Sequence, residues 1–89
     1  MNQAIVDPEQ LRRFASNLKV FADDLQQRAA ALSAQMHQLE HSWRDQQQRK
    51  FAAEFEDQLR QMNRLIEASR QHVPYLLRKA EHIEDYLQS

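Results

Sequence analysis

His41-Ser42-Trp43-Arg44-Asp45-Gln46 separates two long amphipathic runs, and how this stretch is read decides the fold. Before it, Leu11, Phe14, Leu18, Phe21, Leu25, Ala29, Leu32, Met36, Leu39 and Trp43 recur at spacings of three and four, one face of a helix. After it, Phe51, Phe55, Leu59, Met62, Ile66, Ser69, Val73, Leu76, Ala80, Ile83 and Leu87 do the same and approach a heptad seam. A turn here gives two antiparallel helices; a continuous helix through Trp43 is the competing reading. A short connection favours antiparallel neighbours, so the chain reads as an all-α hairpin. The expected helices cover about 8–41 and about 46–87, with the turn at about 42–45. Each would be roughly 50–65 Å long at ~1.5 Å per residue.

Within the turn, Ser42 can cap the second helix with Asp45 at N3, or Asp45 can be the cap itself. A left-handed conformation at Asp45 is the third option. The start of the first helix is better defined. Asp7 is the expected N-cap, Pro8 the first helical residue, and Gln10 stands in capping-box register. Val6 and Leu11 occupy the positions of a hydrophobic staple. Pro74 removes one backbone donor inside the second run. The apolar phase continues from Val73 to Leu76, so a kink is expected there rather than a break.

Composition agrees with a fold of few turns. The chain has 89 residues, no glycine, two prolines and no cysteine. Glycine is the usual solution to positive-φ turns, and a chain without it is best served by very few of them. One small domain spanning residues 1–89 is expected. The formal charge is −1, with five acids and five bases in residues 1–44 and eight and seven in residues 45–89. That balance supplies no basic face for nucleic acid. No window is apolar enough for stable membrane insertion, and Met1-Asn2-Gln3 does not open a secretory signal. Export would therefore proceed without a cleavable signal peptide.

Side chains that resemble chemistry have simpler roles. His37-Gln38-Leu39-Glu40-His41 matches an H-x-x-E-H peptidase pattern, but a catalytic metal needs a further ligand and a dry cleft. A solvated histidine pair beside the turn is the expectation. His72 and His82 read as surface or boundary residues, and Ser33 and Ser69 have no paired base. Glu54, Glu56 and Asp57 have Arg49, Lys50 and Arg60 nearby for i,i+3 or i,i+4 pairing, and Glu81, Glu84 and Asp85 stand beside Arg78 and Lys79. Both groups read as solvated faces. No catalytic residue, cofactor or metal is expected, and the chain is read as a non-enzyme.

Folding at residues 43–45 would bring Leu39 near Phe51, Phe21 near Ile66 and Leu11 near Leu76. Two helices cover only part of each other's stripe, and small scaffolds have little stability to spare. A second hairpin, completing a four-helix bundle, is the expected remedy. The interface within and between hairpins is assigned to Leu11, Phe14, Leu18, Phe21, Leu25, Leu32, Met36 and Leu39 of the first run. The second run contributes Phe51, Phe55, Leu59, Met62, Ile66, Val73, Leu76 and Ile83. Trp43 is read as a plug closing the hairpin end or as an anchor for a partner surface.

Val6-Asp7-Pro8-Glu9-Gln10-Leu11, a central Trp43 at a hairpin turn, and Phe51 and Phe55 beyond it resemble the Trp-X-Gly (Esx-like) family of type VII secretion. The resemblance spans nearly the whole chain. It implies a helical hairpin that pairs as a homodimer or heterodimer, the homodimer being favoured here. It also implies cytoplasmic residence before export by an apparatus whose membrane ATPase is a further partner, and a role as small effector or escort. The chain departs from the family pattern at two places. Trp43-Arg44-Asp45 stands where Trp-X-Gly is usual, and the Tyr-x-x-x-Asp/Glu export element is missing: Lys79 lies four residues after Tyr75, and Ser89 ends the sequence after Tyr86. The competing function is a structural or adaptor coiled-coil hairpin with an unrelated helical partner.

Overall fold

The computed structural model describes residues 6–88. Met1-Asn2-Gln3 and Ser89 lie outside the described residues. Helix α1 runs Pro8–Leu39 and helix α2 runs Gln46–Gln88, joined by residues 40–45. The two pack side by side in a rod 66 × 23 × 15 Å. Both expected helices are present, and the continuous-helix alternative is replaced by the hairpin.

The start of α1 is built as its residues dictate. Asp7 has extended backbone, and its Oδ1 accepts the Glu9 N–H at 3.0 Å. Its carbonyl accepts the Leu11 N–H at 3.1 Å, and Pro8 fills the first position, where no donor is needed. Helix α2 passes through Pro74 as one element of 43 residues. The proline therefore does not break it.

The core is a line of small residues. Ala15, Ala22, Ala29 and Met36 are buried one heptad apart on α1. Ile66, Ser69 and Ala80 are buried on α2. Ala15, Ala22 and Ala80 have no exposed surface at all. No large side chain among the described residues reaches full burial. Alanines at the seam let the helices approach closely, so the bulkier neighbours pack beside the contact line rather than on it.

The register differs from the one expected. Arg12, adjacent to Leu11, pairs with Glu84, and Arg70 reaches back to both Asp23 and Gln26. The ring of Trp43 lies 5.8 Å from that of Phe51. These pairings place α2 one to two turns further along α1 than the fold-back at residues 43–45 implied. The reason lies in the connection. Trp43 and Arg44 are non-helical and carry the chain past the end of α1, so the first turn of α2 overhangs the joint.

Candidate functional site

The turn is organised by Asp45. Its Oδ1 accepts the Gln48 N–H at 2.8 Å, and its carbonyl accepts the Arg49 N–H at 3.2 Å. That is an N-cap, bonded at N3, and it selects among the three options the sequence left open. Ser42 turns the other way, donating its hydroxyl to the Leu39 carbonyl at 3.5 Å. No described residue has positive φ, so the left-handed alternative is not used. The Trp43 N–H donates to the Leu39 carbonyl at 2.8 Å, and Arg44 Nε donates to the Glu40 carbonyl at 3.0 Å. Trp43 is half-buried, and Phe51 in turn stacks on Phe55 at 5.9 Å. The three rings close this end of the rod.

Along the rod the two flanks differ. One carries the ionic contacts between helices. Arg12 forks onto Glu84 with Nη2–Oε1 at 2.6 Å and Nη1–Oε2 at 3.3 Å, and also bonds Glu9. Arg70 donates to Asp23 Oδ1 at 3.1 Å and to Gln26 Oε1. The guanidinium of Arg12 holds the Glu84 carboxyl below its usual range, and Arg70, followed by Lys19, does the same for Asp23. Glu84 is thus part of a contact between helices, not only of a solvated face along α2. The sequence reading missed both cross-helix pairs. Their signal was position: each member borders the apolar seam, where coiled coils place paired charges.

The opposite flank is apolar. Arg12 and Gln26 follow the seam residues Leu11 and Leu25 by one position, as Arg70 and Glu84 follow Ser69 and Ile83. Phe14 and Phe21 instead precede Ala15 and Ala22, as Phe51 and Leu65 precede Ala52 and Ile66. One residue is about 100° of rotation, so the second set faces away from the ion pairs on both helices. Leu32 and Leu39 continue the Leu18–Leu25 row bordering that flank. Phe14, Phe21, Leu32 and Leu39 are 57, 50, 45 and 47% exposed, and Phe51 and Leu65 are exposed beside them.

The residues assigned to interfaces therefore divide. Met36 and Ile66 are buried, while Leu11, Leu18, Leu25, Phe55, Leu59, Met62, Val73, Leu76 and Ile83 are half-buried along the seam. Phe14, Phe21, Leu32, Leu39 and Phe51 are exposed. His37 Nδ1 lies 3.7 Å from Glu40 Oε2, and His41 falls beyond the end of α1. Among the described residues no group of three ligating side chains converges on a metal position. No described helix is long and apolar enough to cross a membrane.

A family model described as WXG100, proteins of 100 residues with WXG, matches residues 3–87, nearly the whole hairpin with its central tryptophan. The chain belongs to the WXG100 family. Comparisons with curated proteins and with solved structures gave no match. WXG100 membership associates this small helical protein with type VII secretion. The geometry also accounts for the departure from the WXG100 pattern at Trp43-Arg44-Asp45. Glycine is required where φ is positive or the backbone is crowded. Position 45 has neither a positive φ nor a helical role that an aspartate would disturb. Here the carboxylate supplies the helix cap directly.

Proposed function

We propose that the protein is a non-enzymatic component of type VII secretion that acts by pairing its open apolar flank with a second helical hairpin. The observation carrying this reading is the row of exposed Phe14, Phe21, Leu32, Leu39, Phe51 and Leu65. Contiguous apolar surface of this kind marks an interaction site. The folded chain exposes 7270 Å². A compact protein of the same mass exposes about 5,500 Å². The excess on this one chain is roughly twice the ~800 Å² that a standard protein–protein interface buries on each partner. A second hairpin laid on this flank would complete a four-helix bundle and cover the residues that two helices leave wet.

The protein resides in the cytoplasm before export and engages the membrane ATPase of the apparatus, directly or through its paired hairpin. Comparing culture medium from cells with and without the ATPase tests this. The protein should accumulate outside only when the ATPase is present. Unchanged distribution would favour an adaptor hairpin with an unrelated partner instead.

A further inference from the structure

The ionic flank is a ladder of facing positions. Arg12 meets Glu84, and two heptads further along each helix Gln26 meets Arg70. Two heptads further again stand Glu40 and Glu56, so the third rung sets acid against acid. Glu40 directly follows α1 with helical backbone, φ −62° and ψ −19°, and keeps the phase of the rungs before it. Glu40 has only His37 Nδ1 at 3.7 Å, and Glu56 has no hydrogen bond or ion pair among the described residues. Both line an open notch of about 430 Å³ together with Arg44, Gln48, Arg49, Ala52 and Ala53. Gln48 is only 6% exposed. Its backbone N–H is taken by Asp45, but its side-chain amide bonds no described residue. Neither amide atom is sealed off, so the amide opens onto the notch. On the rim, Arg44 Nε donates to the Glu40 carbonyl at 3.0 Å and Arg49 Nη1 to the Arg44 carbonyl at 3.2 Å. Neither arginine is spent on a carboxylate.

We propose that this notch receives an arginine side chain of a protein partner, held between the Glu40 and Glu56 carboxylates with the Gln48 amide oxygen as a third acceptor. A buried amide without a partner is costly, and an incoming N–H satisfies it. The small Ala52 and Ala53 leave the space, and the open shape suits a side chain presented by another surface better than an enclosed small molecule. A guanidinium carries five donors in a rigid planar fork, so it can bridge acceptors on two helices at once. A lysine ammonium is a compact, strongly hydrated point charge and bridges them less well. A metal ion would find two carboxylates and no third ligand of that kind, because no three ligating side chains converge among the described residues. The rim arginines offset the charge of the two acids. Selection therefore rests on hydrogen-bond geometry more than on long-range attraction. Glu40 and Glu56 follow Leu39 and Phe55 by one position, as Arg12 follows Leu11. The notch thus lies on the ionic flank, stays open when the apolar flank is covered, and does not depend on the pairing role.

Titrating the full, isotope-labelled chain with arginine capped at both ends, and following the Gln48 side-chain amide by nuclear magnetic resonance, tests the site. The amide signals should move and saturate in the millimolar range, since exposed ion pairs are individually weak. Lysine capped in the same way, at matched ionic strength, should bind about fivefold more weakly. Glu40→Gln/Glu56→Gln should weaken capped arginine about tenfold. Both positions are exposed, so the helices should persist, which circular dichroism checks; Glu56→Gln alone, with a smaller loss, serves if the double variant does not fold. Magnesium chloride should leave the Gln48 amide unmoved. No saturation with capped arginine would overturn the proposal. So would equal binding of capped lysine, binding retained in the glutamine variants, or a saturable response to magnesium.

Discussion

Arg12, in the second turn of α1, holds Glu84, near the end of α2, through two hydrogen bonds of 2.6 and 3.3 Å. The contact ties the free end of the hairpin together, opposite the turn. Asp23 and Arg70 repeat it nearer the middle at 3.1 Å. Both carboxyl groups titrate below their ordinary values because the ionised form is hydrogen-bonded to a guanidinium. A carboxylate depressed in the folded state binds protons more readily when unfolded. Its contribution is therefore complete above the ordinary carboxylate range and is lost as pH falls through that range and below.

Melting temperature should accordingly fall on acidification from neutrality to about pH 3. Glu84→Gln, which cannot ionise, should lower the neutral melting temperature and flatten the decline. Thermal melts followed by circular dichroism at several pH values check both. An acid decline unchanged in the variant would remove Glu84 from this account.

Replacing Asp45 with alanine removes the acceptor for the Gln48 N–H. Loss of such a cap costs about 1 kcal/mol, whereas glycine at the same position costs only a few tenths. Asp45→Gly would also recreate the Trp-X-Gly pattern. Urea unfolding should rank wild type, glycine and alanine in that order, the difference appearing in the midpoint and not in the slope.

Trp43→Ala should destabilise the hairpin by about 2 kcal/mol, less than for a fully buried tryptophan, because the ring is half-buried. Trp43→Phe should recover most of that by preserving the contact with Phe51. Unfolding followed by far-ultraviolet circular dichroism separates the two proposed roles of the ring. Loss of the fold in the alanine variant identifies a plug, and an intact hairpin with lost association identifies an anchor.

Ala22 has no exposed surface, and the helices meet across it. Ala22→Leu should cost about 1–3 kcal/mol by overpacking although leucine is more hydrophobic. The same exchange at exposed Ala31 should be nearly neutral. Equal melting temperatures for the two would contradict the close-packed alanine seam.

Much of this molecule is legible in its residues. Asp7-Pro8 announces a helix start because cap chemistry is local, and the three-four spacing of leucines and phenylalanines reveals two amphipathic helices without reference to their partners. Register is another matter. It depends on how far Trp43 and Arg44 carry the chain before it turns, and no side-chain pattern within a helix encodes that distance. The same uncertainty hid Arg12–Glu84, because only the register tells which residue of α1 stands level with Glu84. The weight given to large apolar residues also misplaced the centre of the seam. Alanine contributes little to a hydrophobic stripe but occupies the positions where two backbones come closest.

Ionic contacts along one edge and apolar side chains along the other give the rod two unlike sides. Whatever docks on the apolar side covers the exposed Phe14, Phe21, Leu32 and Leu39, leaving the charged edge outward. A building block that associates through one such side alone would terminate its own assembly, giving discrete complexes of fixed stoichiometry and no filament.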